Sequence, residues 1–372
     1  MVRTVSLLRD CLRTFKQRAT TSKPKHLTAE EKKALMAKVL STPEPARMPD
    51  EFYHPRPQVY YAHNDGSWQR LNLEEDPRRA TATAPSSSAK FNQLSSFRLI
   101  TWNIDFLVPF KEPRMAAALS HLEELILKDS GSQPTVIMLQ EMCPSDLEQI
   151  QSARWVQDRF FLTDLGNERW LSPVYGTTTL VDRRLTIKQI FRVCVISKFE
   201  RDGLFVDVAL NNDDKVLRLC NVHLESLVAD PPVRPLQLGA IAKWLQKEDV
   251  CAAALAGDCN AIQPFDRTLH VENGLQDAYL ALGGEEDSEE GYTWGDQVPD
   301  WMKQKFGKSR MDKVMFCGAL GAKSLQRIGV GVTVQDDAVK KQMRDAGWLE
   351  WVTDHYGLVV DLELKQDRSL RA

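Results

Sequence analysis

The chain has 372 residues, of which 43% are hydrophobic and 27% are charged. This apolar content is enough to build a sizeable core, so the composition excludes a chain that is disordered throughout. The 48 Lys and Arg residues are balanced by 51 Asp and Glu residues, and the resulting net charge of −3 excludes a global positive field for long duplex nucleic acid.

The cysteines and the apolar runs narrow the class of protein further. The seven cysteines are scattered and no two are spaced as Cys-x-x-Cys, which predicts reduced thiols rather than a disulfide framework or a zinc site. Because no apolar run reaches the roughly 18 residues of a membrane span and no secretory signal is found, we expect no membrane span. We expect an intracellular protein of the nucleus, the cytoplasm or both.

Residues 1–50 are predicted to form a basic arm and one short helix. The first 25 residues contain seven Lys or Arg residues against one Asp, which fits either a solvated arm or a mitochondrial targeting peptide. Thr28 and Glu31 have the spacing of a capping box ahead of an apolar run, and the prolines from Pro43 onward end the helix.

Residues 51–96 are predicted to form a β-hairpin followed by a linker. Two strand-like runs within residues 58–73 flank an Asn64-Asp65-Gly66 turn signal, which is typical of a hairpin. The stretch that follows is rich in Pro, Ser, Ala and Thr and lacks large apolar residues, as linkers do. We therefore expect the catalytic domain to begin only at residue 97.

From residue 97 to about residue 365, apolar strands alternate with helical patterns, which predicts an α/β domain. Helical patterns cover residues 113–128, 145–161 and 234–247. The strand-like runs cover residues 98–105, 135–142, 177–181, 193–198, 204–210, 216–223, 252–258, 310–316 and 356–362. Nine strand-like runs against three helical patterns argue against a doubly wound dinucleotide-binding domain, in which a helix follows nearly every strand. The sequence also has no glycine-rich phosphate-binding motif.

Many of the apolar strands end in polar or charged residues. In chain order these are Asn103, Glu141, His223, Asp258 with Asn260, Asp312, and Asp354 with His355. Taken singly, a residue of this kind is more often a solvated strand end, a turn residue or a core histidine than a functional group. Together they supply hard oxygen ligands for Mg²⁺, two imidazoles and amide groups, which is the inventory for metal-assisted phosphoester hydrolysis.

The order and spacing of these segments resemble those of the endonuclease/exonuclease/phosphatase superfamily, and within it the type-2 tyrosyl-DNA phosphodiesterases. The matching segments are TWNID (101–105), LQE (139–141), NVHLES (221–226), GDCN (257–260), RMDKV (310–314) and TDHYG (353–357). The resemblance implies a deoxyribonuclease I-like fold, which is a four-layer sandwich of two packed β-sheets flanked by helices.

The resemblance also implies roles for the catalytic residues. Glu141 and Asn103 would hold Mg²⁺, with Mn²⁺ able to substitute, and Asp354 lies nearby. Asp258 would orient or deprotonate the attacking water, and Asn260 would position water or phosphate. His355 would contact the phosphate and be oriented by Asp312, while His223 would stabilise charge in the transition state.

Two further residues fall where the tyrosyl-DNA enzymes contact substrate. These are Tyr175 and Trp294. The pattern departs from the family at Phe106, which follows TWNID, and at Ala261-Ile262, where those enzymes place Leu-Arg beside the DNA strand. Cys259 occupies the usual Thr position and is interpreted as a small packed residue.

We therefore expect a monomeric, Mg²⁺-dependent phosphodiesterase that removes a 5′-tyrosyl adduct from a DNA end in DNA repair. One alternative is another activity of the superfamily, either an abasic-site endonuclease or a phosphatase acting on a small or lipid phosphoester. A catalytically dead interaction module is a further alternative.

Overall fold

The computed structural model describes residues 50–71, 94–128, 133–210 and 215–365. The predicted basic arm and short helix lie outside the described residues, as do residues 76–93 of the linker that was predicted over residues 76–96. Within the described ranges, no helix is long and apolar enough to cross a membrane.

The strands of the described residues form two mixed sheets, here called sheet A and sheet B. In order across sheet A, the strands are β1 (Arg56–Gln58), β8 (Ile187–Cys194), β9 (Asp202–Ala209), β10 (Val216–His223), β11 (Val250–Asp258), β13 (Asp312–Gly318) and β12 (Gln276–Asp277). In order across sheet B, they are β14 (Leu320–Ile328), β15 (Gly357–Leu364), β4 (Ser96–Asn103), β5 (Thr135–Met142), β7 (Gly176–Asp182), β6 (Phe160–Leu162), β2 (Tyr60–Asn64) and β3 (Ser67–Leu71).

Helices connect several of these strands. They are α1 (Lys111–Lys128), α2 (Pro144–Ser152), α3 (Arg154–Arg159), α4 (Arg234–Leu245), α5 (Leu269–Glu272), α6 (Ala278–Ala281), α7 (Asp300–Phe306) and α8 (Asp337–Asp345), with 3₁₀ helices at Asp50–Tyr53 and Pro264–Arg267. The helix expected over residues 145–161 is divided into α2 and α3 because Ala153 adopts an extended conformation.

The side chains of the central strands alternate between two apolar layers. In β4, Leu99 packs between the two sheets, whereas Trp102 packs beneath α1. In β10, Leu219 packs between the sheets and Val222 packs beneath α4. Strands that are buried on both faces are typical of a sheet covered by helices, and the result is the predicted four-layer sandwich of helix, sheet, sheet and helix.

Each sheet contains one parallel pair of strands joined by a helix. In sheet B the pair is β4 and β5, with Asn103 opposite Gln140. In sheet A the pair is β10 and β11, with His223 opposite Asp258. Parallel strands end at the same edge of a sheet, and the antiparallel neighbours β13 and β15 begin at that edge. This topology carries the polar strand ends to one side of the molecule.

The predicted hairpin is present, but it belongs to the sheets. Asp65 and Gly66 form its turn at φ values of 51° and 80°. Strand β2 pairs with β6, and the preceding β1 pairs with β8, so both sheets contain residues that precede residue 97. Tyr60 and Ala62 lie in the core between the sheets. The expected domain start at residue 97 is therefore too late, because the hairpin buries an apolar face of its own.

The strand expected over residues 193–198 is also misplaced. Strand β8 runs from Ile187 to Cys194, so most of the expected range lies in the turn that leads to β9. Strands β1, β6, β12 and β14 had no counterpart among the strand-like runs. The first three are only two or three residues long, and polar pairs at Lys323-Ser324 and Gln326-Arg327 interrupt β14 at a sheet edge, so none presents a continuous apolar run.

Candidate active site

Polar side chains from the two sheets meet at the edge where the parallel strands end. The Asn103 side chain of sheet B donates through Nδ2 to Asp258 Oδ2 of sheet A at 3.0 Å, and lies 3.3 Å from Glu141 Oε1. His223 Nε2 lies 3.4 Å from Asp258 Oδ2 and 3.7 Å from Glu141 Oε1. The strand ends singled out from the sequence therefore converge on one site.

Glu141 reaches this site because its backbone leaves the regular strand. Its φ is 57°, in the left-handed region, and the register between β5 and β7 shifts between Leu139 and Met142. A bulge of this kind redirects a side chain, and such strained residues are common at functional sites. Glu141 Oε2 accepts the backbone N–H of Phe106 at 2.9 Å, which fixes the carboxylate in place.

The orientation of Asn103 follows from its hydrogen bonds. Its Oδ1 accepts the backbone N–H of Asp105 at 2.9 Å, so its NH₂ group must face the carboxylates of Glu141 and Asp258. In this conformation Asn103 holds two carboxylates and does not present an oxygen to a cation. Its expected role as a metal ligand stays a prediction.

His223 is a buried, neutral hydrogen-bond donor. Its Nδ1 lies 2.6 Å from an Nη of Arg201, and because a guanidinium only donates, the ring proton must sit on Nε2. Burial lowers the pKa of His223 well below its usual value, and the nearby Arg201 and His355 lower it further. Its Nε2 has no hydrogen-bond partner within the described residues. Arg201 carries no motif signal, and the sequence did not single it out.

His355 is held in its charged form by carboxylates. Its Nδ1 donates to Asp312 Oδ2 at 2.8 Å, and its Nε2 lies 3.8 Å from both Asp258 Oδ2 and Asp354 Oδ1. Burial acts to lower the pKa of His355, but Asp312, Asp354 and Asp258 outweigh it and raise the pKa well above its usual value. The predicted orientation of His355 by Asp312 is therefore present in the geometry.

Asp258 lies at the centre of the arrangement. Burial raises its pKa to about 6; Asp312 and Glu141 act in the same direction, while His355 opposes them. Asp258 Oδ1 accepts the backbone N–H of Asn260 at 2.7 Å. The Asn260 amide itself donates to a backbone carbonyl, that of Leu224, at 3.1 Å. Asn260 thus holds the turn after β11 in place around Asp258.

Trp294 and Tyr175 flank the site as packed side chains. The Trp294 indole donates to Asp354 Oδ2 at 2.7 Å, which fixes that carboxylate. The Tyr175 hydroxyl donates to the carbonyl of Phe199 at 2.5 Å, and its ring stacks on Phe106 with centroids 4.4 Å apart. Both rings are mostly buried. Substrate contact by either residue stays a prediction.

Among the residues that the structure describes, two groups of side chains could bring ligand atoms to a metal ion: Glu141, His223 and Asp258, and Asp258, Asp312 and His355. The imidazoles are poor candidates, since His223 Nε2 carries its proton and His355 is protonated. A cation is better matched by carboxylates near Glu141. Burial raises the pKa of Asp105 to about 7, and the charges of Asp354 and Glu141 raise it too. A divalent cation bound by Glu141 would relieve this repulsion.

The comparisons with known proteins agree with this geometry. The model of the Endonuclease/Exonuclease/phosphatase family matches residues 100–355. No curated protein matches the chain.

Solved structures with the same fold include TDP2 from D. rerio humanized by 14 mutations, which is 20% identical, with a TM-score of 0.54 and coverage of 72% of this chain and 99% of that chain. D. rerio TDP2 complexed with single strand DNA product is 18% identical, with a TM-score of 0.55 and the same coverage. The human Nocturnin catalytic domain with bound sulfate anion is 16% identical, with a TM-score of 0.51 and coverage of 74% and 95%.

Proposed function

Because the chain belongs to the Endonuclease/Exonuclease/phosphatase family, we propose that it hydrolyses a phosphoester by attack of water on phosphorus, with Mg²⁺ as the metal and Mn²⁺ able to replace it. The observation that carries this proposal is His223 Nε2, a buried donor without a partner in the described residues. An unsatisfied buried donor costs about 1–3 kcal/mol. A phosphate oxygen between Glu141 and Asp258 would satisfy it.

The donors around this position match the charge of a phosphate. His223 offers a neutral N–H and His355 a charged N–H, both within 4 Å of Asp258 Oδ2. Fixed donors that surround a reacting phosphate stabilise the charge that grows on its oxygens in the transition state. They are already oriented by Arg201 and Asp312, so little reorganisation is needed.

Asp258 is the group suited to handle the attacking water. With a pKa of about 6, it is mainly a carboxylate at neutral pH and can orient the water or accept its proton. Glu141 would hold the divalent cation, and the negative charges of Asp105 and Asp354 would favour a cation there. When bound, the cation would polarise the phosphate as a Lewis acid.

For the substrate, we propose a 5′-tyrosyl adduct on a DNA end, removed during DNA repair by a monomeric enzyme of the nucleus or cytoplasm. The order of the six segments supports this choice, and a structure with the same fold is D. rerio TDP2 complexed with single strand DNA product. Tyrosine is also a good leaving group, because a phenol has a pKa near about 10.

One observation favours a second candidate, a small or lipid phosphoester. Ile262 stands where the resemblance places an arginine beside the DNA strand, and it packs on the apolar cluster of Trp294, Val298 and Met311. This position therefore provides no positive charge for a nucleic-acid backbone.

A substrate panel tests the proposal. It comprises a 5′-phosphotyrosyl oligonucleotide, an abasic duplex, a 5′-phosphate end and an inositol phosphate, each assayed with Mg²⁺ and with EDTA. We expect metal-dependent turnover of the phosphotyrosyl end, with one ¹⁸O atom from labelled water appearing in the phosphate product. The matched variants are Asp258→Asn, which should lose turnover, and Asp345→Asn on α8, which should keep it. Absence of metal-dependent turnover across the panel would overturn the proposal.

A further inference from the structure

A chain of direct contacts joins Phe106 to the candidate active site. The Phe106 ring stacks on the ring of Tyr175, with the centroids 4.4 Å apart and the planes inclined by 21°. Arg201 Cζ lies 4.9 Å from the centroid of the Tyr175 ring, and an Nη of Arg201 lies 2.6 Å from His223 Nδ1. The Phe106 backbone N–H donates to Glu141 Oε2 at 2.9 Å. Phe106 is therefore connected to the candidate metal ligand through its backbone and to His223 through its ring.

The backbone that carries Phe106 is held in place by side chains. The consecutive N–H groups of Asp105, Phe106 and Leu107 are each accepted by a side-chain oxygen at 2.9 Å. The acceptors are Asn103 Oδ1, Glu141 Oε2 and Asp105 Oδ1, in that order. Because this segment is already ordered, a ligand that binds against the Phe106 ring would lose less free energy to the ordering of the protein.

The Phe106 ring is not part of the hydrophobic core. It is half-buried, and within the described residues it belongs to none of the apolar clusters between the sheets, beneath the helices or around Trp294. Since Tyr175 covers one face of the ring, its exposed part belongs to the other face and the edge. Phe106 is also a position at which the sequence departs from the pattern of the superfamily.

The proposed attack of water determines which part of the substrate would meet Phe106. In a displacement at phosphorus, the attacking and leaving oxygens lie roughly in line. Asp258 is proposed to handle the water, so the leaving group departs from the side of the phosphate that faces away from Asp258. With the phosphate bound between Asp258 and Glu141, this is the side of Glu141 and of Phe106.

Aromatic rings that meet in offset stacks attract one another beyond the effect of their buried area. We infer that Phe106 binds the leaving group by stacking, so that the site selects phosphoesters in which an aromatic ring, such as the phenol of a tyrosyl adduct, carries the scissile oxygen. In the reaction the water oxygen bonds to phosphorus and its proton passes through Asp258 to solvent. The bond from phosphorus to the phenol oxygen breaks, and the phenolate leaves with the electron pair. This inference rests on the proposed phosphoester hydrolysis and assigns the chemical class of its leaving group.

Two diesters that differ only in the leaving group provide the test. Methyl p-chlorophenyl phosphate and methyl hexafluoroisopropyl phosphate have leaving groups of similar acidity, but only the first leaving group is aromatic. Each is assayed for kcat/KM with Mg²⁺ and with EDTA, and each value is divided by the rate of hydrolysis of the same ester by hydroxide. We expect the aryl ester to be preferred by about two- to tenfold, the range for one aromatic pair. Equal corrected values would overturn the inference.

Matched variants assign the preference to the ring. Phe106→Leu keeps an apolar side chain and the backbone N–H that holds Glu141, so the preference for the aryl ester should fall by about two- to tenfold. Phe106→Trp should retain the preference. The control is Leu107→Ala, which removes a 48% exposed side chain from the same loop and should leave both esters unchanged. If Phe106→Leu slows both esters equally, Phe106 acts only through Glu141 and the inference is wrong.

A second pair of esters tests the side of the phosphate on which the ring binds. Benzyl p-chlorophenyl phosphate and cyclohexylmethyl p-chlorophenyl phosphate share the leaving group and differ in the group that stays on phosphorus, where a nucleoside would be. We expect Phe106→Leu to lower kcat/KM for both by the same factor. A larger loss on the benzyl ester would show that Phe106 stacks on the retained group, for example a base, and would overturn the inference. If no ester is hydrolysed in a metal-dependent way, the proposed function fails and the inference fails with it.

Discussion

Asp258 is the residue on which the proposed chemistry depends most. It is buried, it lies within 4 Å of both candidate histidines, and its pKa of about 6 leaves it ionised at neutral pH. We propose that this carboxylate acts on water during attack, whereas the histidines hold the phosphate. The variants of these residues should therefore differ in which kinetic constant they change.

We expect Asp258→Asn to lower kcat by roughly 10²-fold or more and to leave substrate binding nearly intact, because the lost interaction is made mainly in the transition state. Single-turnover rates and the Kd for substrate measure the two effects separately. Asp345→Asn, an exposed carboxylate on α8, is the control. If Asp258→Asn instead raises the Kd for substrate and leaves the rate of the chemical step unchanged, Asp258 has only a structural role.

The pair of His355 and Asp312 predicts a shift in pH dependence. Asp312 is the strongest influence that raises the pKa of His355, so Asp312→Asn should lower this pKa. The imidazolium would then lose its proton at lower pH, and the alkaline limb of the kcat/KM profile should move to lower pH. His355→Ala should hurt both binding and rate, and Asp312→Asn should mimic it only in part, because the ring remains.

The residue identities of the site were largely predictable from the sequence, whereas their partners were not. Six polar residues of the site lie at or next to an end of an apolar strand, so a single sequence is enough to single them out. They are Asn103, Glu141, His223, Asp258, Asp312 and His355. Arg201 and Asp105 were missed. Arg201 reaches His223 only through the fold. Asp105 ends the predicted strand 98–105 but was given no role, since its repulsion from Asp354 depends on tertiary proximity.

At the scale of elements, the hairpin β2–β3 is the clearest difference from expectation. Its alternation and turn were visible in the sequence, but its partner strand β6 is three residues long and lies about a hundred residues later in the chain. Pairing between such distant segments depends on which edges the other strands leave open. A single-chain pattern does not contain this information.

The hairpin predicts a contrast between two neighbouring tyrosines. Tyr60 is fully buried between the sheets and stacks edge-on to Phe161, whereas Tyr61 is half-buried on the opposite face of β2. We expect Tyr60→Ala to lower the free energy of unfolding by about 3–5 kcal/mol, as for other large core residues. Tyr61→Ala, the control, should cost much less. Urea denaturation measures both, and equal small effects would mean that the hairpin is a separate flap.

At the scale of the whole molecule, the site exists only where the two sheets are packed together. Sheet B supplies Asn103 and Glu141, sheet A supplies His223, Asp258 and Asp312, and the segment before β15 supplies Asp354 and His355. The two βαβ pairs deliver the carboxylates Glu141 and Asp258 at corresponding strand ends. The alternation of apolar strands with helical patterns predicted an α/β domain. The four-layer sandwich was implied only by the resemblance to the endonuclease/exonuclease/phosphatase superfamily.

We propose that a divalent cation held near Glu141 is needed for phosphoester hydrolysis where the two sheets meet. The most direct measurement is the single-turnover rate on a p-nitrophenyl methyl phosphodiester as a function of Mg²⁺ concentration, for the unaltered chain, for Glu141→Gln and for the exposed control Glu124→Gln. We predict no turnover in EDTA, a saturable Mg²⁺ dependence that Glu124→Gln retains, and a Glu141→Gln variant that folds but needs far more Mg²⁺ or loses the rate, because a neutral amide is a poorer ligand for Mg²⁺. Full activity in EDTA, or an unchanged Mg²⁺ dependence in Glu141→Gln, would contradict a metal ion held by Glu141.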